Sequence, residues 1–466
     1  MTLLDSLAQF TISFLDLPLS VWLAWAVGSF VLWRIAIWYR LRHVPGPTFN
    51  GLSSLWLVNS NRKGAFYTDL QALADKFWDL VRVGPHELFS SDLDVLRRMS
   101  SPKSAYTRGE WYRTFRFIPT EDHSFSLLDE AKHSALRTRL GPGYSNTNAI
   151  EKNIDAQVAR FVSLIDRKFL SAEEEFRPVD FSKISLHSAL DVLGDINFGK
   201  AFGFLDEGTD MFGYIEWFEG FFRFAMMASI FPRILRIIQT PLCPFLSPAD
   251  ADRVGMGRVT RKGEETAPRD MISLFKAQGI AQQEAVNEVL LQIVAGSDSV
   301  ATVLRTTLLH LINTPTALTK VRAELDEARL SGRTSSPFKD VETRSLPYFQ
   351  AVMREGWRIF PAVTPLSFKK VPKIGHNVFG VSRSEKYWGE DADLSRSERW
   401  LEADPGRIEL MNTAVDVVFG FGKYKLCLLL RYDFSVVNAT KPLSIIKSGF
   451  FMMSDFWLRI TKREDA

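Results

Sequence analysis

Cysteine is nearly absent. The chain holds two, Cys243 and Cys427, too few for a disulfide framework or a closed zinc site, and this suits a reducing, cytosol-facing location. A surplus of either charge is missing too: 57 Lys and Arg stand against 54 Asp and Glu in 466 residues, a net charge of +3. Without a concentrated basic patch there is no case for nucleic-acid binding. No Gly/Ser- or Pro-rich linker, internal repeat or charge block divides the chain, so one large body is expected rather than the several domains that length alone suggests. No Gly-x-Ser-x-Gly elbow occurs, which leaves an anchored hydrolase without support. Phenylalanine is plentiful, at 36 residues beside 12 tryptophans, so apolar ligands or a membrane suit the composition.

Residues 1–20 contain no Lys or Arg, which argues against a cleaved signal peptide. An apolar run from Val21 to Trp33 follows, is interrupted by Arg34 and resumes to Tyr39. As a helix, residues 21–39 would span about 28 Å, close to the hydrocarbon thickness of a bilayer. Arg34 lies toward the end, where it can snorkel. Arg40, Arg42 and His43 come next, and the positive-inside rule places residues 1–20 in the lumen and the body on the cytosolic side. The other reading is a buried core helix. Residues 40–47 end in Pro45-Gly46-Pro47, a helix stop that reads as a stiff hinge.

The body, 48–466, carries helical patterns at 64–80, 91–99, 147–170, 183–196, 281–312 and 346–359, with a short strand at 80–84. The fold expected is mostly α with a small β region. His133 and Arg137 share a helix face and could clamp a carboxylate, or simply lie on a solvated face; Gly141-Pro142-Gly143 is expected to end that helix. The stretch from Met211 to Leu235 is apolar on nearly every face, fitting a core, a greasy ligand or lipid. The strongest helix holds Ala295-Gly296-Ser297-Asp298-Ser299 at its middle. That is poor helix chemistry, suited either to a kink or to a site where Gly296 leaves room and Asp298 and Ser299 relay protons. Glu355 and Arg358 sit three apart with opposite charges, and Arg399 in Glu398-Arg399-Trp400 could join them. Phe419-Gly420-Phe421-Gly422 leads to Cys427, either a thiolate metal ligand or a buried structural cysteine.

Taken in order, these pieces closely resemble the cytochrome P450 superfamily of haem-thiolate monooxygenases. Tyr106-Thr107-Arg108-Gly109-Glu110-Trp111 and the loop from Phe419 to Lys425 look like the fungal pisatin-demethylase-like branch. The resemblance spans nearly the whole chain. It implies a P450-like fold with an amino-terminal transmembrane helix, haem b as cofactor, and Cys427 as the axial iron ligand. It implies that Phe419 and Gly422 belong to the haem-binding loop and that His133 and Arg137 hold a haem propionate. By the same resemblance Ala295 and Gly296 line the dioxygen groove, Asp298 and Ser299 deliver protons, and Glu355, Arg358 and Arg399 brace the loop. The aromatic stretch from Trp217 to Phe231 would cover the substrate entrance. An NADPH-dependent reductase would supply electrons at the endoplasmic reticulum membrane, and an apolar small molecule of fungal secondary metabolism would be hydroxylated or demethylated.

The chain also departs from the family. Position 426, where the family's cysteine falls, is Leu, and Leu428-Leu429-Leu430 follows Cys427 where Cys-x-Gly is usual. Arg431-Tyr432-Asp433-Phe434 resembles the strand after the family's long proximal helix, which has no counterpart. A β-hairpin is missing near 373–376, Arg258 to Lys262 joins parts normally further apart, and Ser395 and Ser397 replace the usual Phe and Pro. These departures leave a second expectation: an inactive, membrane-anchored helical remnant that binds no haem.

Overall fold

The computed structural model of the chain describes residues 18–101, 104–118, 121–145, 147–232, 270–335, 337–362, 368–370, 373–416, 428–447 and 451–463. Phe419, Gly422 and Cys427 lie outside the described residues, as do Cys243 and the 258–262 segment.

The principal helices are α1 (Leu19–Arg40), α2 (Phe66–Phe77), α3 (Leu93–Ser100), α4 (Glu130–Ser145), α5 (Thr147–Leu164), α6 (Phe181–Phe198), α7 (Tyr214–Ala228), α8 (Gln282–Asn313), α9 (Pro315–Leu330) and α10 (Pro347–Ile359). The β region is small. One sheet runs β1 (Leu80–Arg82), β2 (Glu87–Ser90), β4 (Lys373–His376), with β1 antiparallel and β4 parallel to β2. A second runs β3 (Val179–Asp180), β8 (Trp457–Lys462), β5 (Tyr432–Val436), and β6 (Ser444–Lys447) pairs with β7 (Phe451–Ser454). The chain is thus mostly helical, as its periodicity requires.

Helix α8 is the spine. Its first half buries Val286, Val289, Leu290 and Ile293 in an aromatic core with Phe115 and the α7 rings Phe218 and Phe222. Its second half buries Leu308 and Leu311 with Phe349 and Val352 of α10 and with the β5 and β8 side chains Tyr432, Leu458 and Ile460. An element that joins two cores must be apolar on several faces, and that explains its long pattern.

Two local expectations change in three dimensions. The 295–299 stretch does not break α8, which runs unbroken for 32 residues. Ser299 Oγ donates back to the Ala295 carbonyl of the same helix at 2.7 Å, a local bond that the α-helical path accommodates, and Asp298 turns to Arg305, away from the backbone. Likewise α4 continues through Pro142 to Ser145. Proline removes one donor near the helix end, while Gly143 packs so close to α8's neighbour that a Cβ there would lie 2.5 Å from Phe275; tertiary contact holds the last turn.

Candidate functional site

The middle turn of α8 holds the acid and the hydroxyl. Asp298 and Ser299 are both buried. Asp298 Oδ1 accepts from Arg305 Nη1 at 3.4 Å, seven residues along the same helix. Arg305 is in turn held by α6, donating to Ser185 Oγ at 2.9 Å and to the Ser182 carbonyl at 2.5 Å. Burial pushes the Asp298 carboxyl up, and the Arg305 charge opposes it. An acid and a hydroxyl so placed are the residue types that serve in proton transfer. Gly296 lies against α6, where a Cβ would meet Leu193 at 3.3 Å; the room it leaves is filled by that leucine. Ala295 is partly exposed one turn before Ser299.

His133 and Arg137 on α4 do not stand alone. Arg108 Nη2 donates to His133 Nε2 at 2.8 Å, and its Nη1 to the Ser124 and Leu127 carbonyls at 3.2 and 3.0 Å. Lys369 is bridged to Arg108 by backbone pairing. Burial first, then the Arg108 charge with Arg137 and Lys369 behind it, pushes the His133 imidazole down to about 4, against the pull of Glu130. The Lys369 ammonium is pushed down by burial and again by Arg108. Arg108, held against His133 and beside the depressed Lys369 ammonium, forms a place where an anion is stabilised. The two carboxylates of a haem fit that donor set.

Glu355, Arg358 and Arg399 are brought together and buried. Glu355 Oε1 and Oε2 accept from Arg358 Nη2 at 2.7 Å and Nε at 3.0 Å. Oε1 also accepts from Arg399 Nε at 3.1 Å, and Oε2 from Trp400 Nε1 at 3.0 Å. Burial alone would raise the Glu355 carboxyl; the two guanidiniums outweigh it and hold it below the usual range. The arginines spend their remaining donors on the carbonyls of Ser382, Ala392, Leu394 and Trp388. The network therefore ties α10 to the segment from Ser382 to Trp400.

On the far side of the cysteine loop, chain order resumes at Leu428–Arg431, a single helical turn, and β5 begins at Tyr432. One helical turn thus separates the cysteine loop from the strand. Among the described residues no group of His, Cys, Asp and Glu is arranged to hold a metal, so the metal assigned in sequence rests on Cys427. A groove of about 770 Å3 between Ser171, Thr319, Arg322 and Arg463 lies apart from these clusters. Its Arg322 and Arg463 are committed to Asp433 and Asp326 at 2.7 and 2.6 Å, which makes it polar surface.

Sequence reasoning missed three side chains. Arg108 stood inside a stretch that was noticed only for its resemblance. Lys369 carried no signal. Arg305 was findable: a lone arginine in an apolar helix, two turns after an acid on the same face.

The family model "Cytochrome P450" matches residues 45–424. "Cytochrome P450 monooxygenase ABA1" of Pyricularia oryzae (strain 70-15) is 34% identical over 477 positions, taking in 91% of this chain and 93% of the relative. "Cytochrome P450 monooxygenase aba1" of Botryotinia fuckeliana (strain B05.10) is 30% identical, over 91% of this chain and 92% of the relative. "Cytochrome P450 monooxygenase abl1" of Leptosphaeria maculans is 30% identical, over 85% and 76%. The aligned span of 477 positions exceeds the 466 residues of this chain, so the first relative carries residues that this chain lacks.

Proposed function

The chain belongs to the cytochrome P450 family, and on that premise we propose that it oxidises an apolar small molecule of fungal secondary metabolism, by hydroxylation or demethylation, with haem b held through Cys427. The observation that carries the reading is the cluster of half-buried Arg108, His133 and Lys369 with the exposed Arg137, in which Glu130 is the one carboxylate acting on His133. When bound, haem b supplies dioxygen activation at an iron whose thiolate ligand donates electron density.

The chain's own residues do the rest. The cation cluster anchors the propionates. Asp298, held on the α6 side by Arg305, and Ser299, whose hydroxyl donates to the Ala295 carbonyl, are the acid and the hydroxyl proposed for proton delivery. The Glu355 network braces the segment that leads to the cysteine loop. Phe115, Phe218 and Phe222 are buried in the aromatic core, and the partly buried Phe125, 5.9 Å from Phe115, is the ring of that set that can offer apolar surface to a substrate. Helix α1 has the length and composition to cross a membrane; it would place the body on the cytosolic face of the endoplasmic reticulum, within reach of an NADPH-dependent reductase.

Reduced protein exposed to carbon monoxide should show the Soret band of a thiolate-bound haem, and Cys427→Ser should abolish it. Arg108→Leu should weaken haem retention while leaving the band's position unchanged. A second reading is favoured by the single turn at Leu428–Arg431: a haem-free remnant, with too little helix after the cysteine to cover one haem face. Folded protein without haem or band selects that reading.

A further inference from the structure

Arg82 ends β1, and it is 3% exposed. Its guanidinium lies at the carboxyl end of α1, where it donates to the Trp38 carbonyl at 3.0 Å and reaches the Ile37 carbonyl at 3.4 Å. The same group donates to the carbonyls of Gly51 at 3.3 Å, Pro85 at 2.8 Å and Gly84 at 3.2 Å. One side chain thus collects five carbonyls from three separate stretches of chain. We propose that Arg82 locks the apolar helix α1 to the body as one rigid piece, so that the orientation of the body on its anchor is set by the protein and not left to a hinge.

Physical chemistry supports the lock from several sides. The last carbonyls of a helix have no partner within it and carry its negative pole, so a buried guanidinium there is doubly favourable. The supposed hinge is packed. The Arg82 backbone N–H donates to the Pro45 carbonyl at 2.8 Å, and a Cβ on Gly46 would lie 2.4 Å from the Arg82 carbonyl oxygen. Val44 is buried in the apolar cluster of Leu88, Leu93 and Leu96, and Leu41 packs against it. A Cβ on Gly51 would meet Trp38 at 2.7 Å and the Arg82 guanidinium carbon at 3.1 Å. Arg34 of α1 donates to the Leu52 carbonyl, so the charge that interrupts the apolar run finds a partner in the protein and has no need to snorkel.

The lock is a property of the fold, and its use in setting orientation rests on the membrane reading above; the test separates the two. Amide hydrogen exchange is followed by mass spectrometry on the full chain, in detergent and in lipid nanodiscs, for wild type, Arg82→Met and Gly51→Val. Wild-type amides of residues 41–53 should be protected in both media. Each variant should exchange there about tenfold faster, with α8 protection unchanged. Wild-type residues 41–53 exchanging at the rate of an unfolded peptide would overturn the lock, as would unchanged protection there in Arg82→Met. Should Arg82→Met lose α8 protection as well, Gly51→Val, which pushes on the same joint without removing a charge, decides: local loosening supports the lock and unchanged exchange overturns it. Failure of the chain to float with liposomes removes the membrane reading while leaving the exchange result standing.

Discussion

At the scale of single residues, buried charge decides most. Glu355 answers two guanidiniums and an indole at once. Glu355→Gln would leave Arg358 without an anion and Arg399 with Asp391 alone, 2.9 Å from its Nη1, and the expected loss is about 3–5 kcal/mol in denaturant unfolding. Glu355 beside Arg358 was legible in sequence because three-residue spacing on a helix puts them on one face. The carbonyls of Ser382, Ala392 and Leu394 were not, since nothing in the order of residues says which loop returns to α10. Asp298 and Arg305 behave alike: Asp298→Asn strands a buried arginine. The double variant Asp298→Asn with Arg305→Met should be more stable than Asp298→Asn alone, because it removes the orphan along with its partner. Equal or lower stability of the double variant would count against this pairing.

At the scale of elements, α8 and α10 touch through a glycine. A Cβ on Gly356 would lie 2.0 Å from Thr307 Oγ1 and 3.1 Å from its Cβ. Gly356→Ala should therefore destabilise by about 1–3 kcal/mol through overpacking. Thr307→Ala should recover part of that loss in a double-mutant cycle, since Thr307 Oγ1 makes no hydrogen bond that its removal would forfeit. In sequence Gly356 was only a spacer between Glu355 and Arg358. The span of α8 and its stop at Pro315 were readable because they depend on apolar period and on proline's missing donor. Its continuity through 295–299 was not, because that depends on Asp298 finding Arg305 as a partner and on Ser299 bonding the Ala295 carbonyl without breaking the turn.

At the scale of the whole molecule, acid should unfold this protein before its carboxylates are exhausted. Burial pushes His123, His187, His310 and His376 down from 6.5 to about 4. A depressed imidazole binds its proton more readily unfolded than folded. Its contribution is complete above pH 6.5 and is lost as pH falls toward 4. Glu288 has the opposite sign. Burial raises it from 4.5 to about 6, against the hydrogen bonds from Ser124, so the fold prefers the protonated acid, and stability is gained as pH falls through that window. With His133, likewise pushed down to about 4, five imidazoles oppose the raised carboxyls of Glu288 and Asp298, so the denaturation midpoint should drop between pH 6.5 and 4. Glu288→Gln, which removes part of the offset, should make the drop steeper. A midpoint flat across that range would refute the account.

The sequence by itself determined the helical class, the apolar helix near the amino terminus, the acid and hydroxyl in mid-helix, and the family. Each of these rests on local period, composition or ordered motifs, which neighbouring residues carry. Only the tertiary structure decided what the charges answer to: Arg108 beside His133, Arg305 beside Asp298, and Arg82 beneath the end of α1. Those pairs are set by burial, which makes an unpartnered charge costly and draws its partner from wherever the fold brings one within reach.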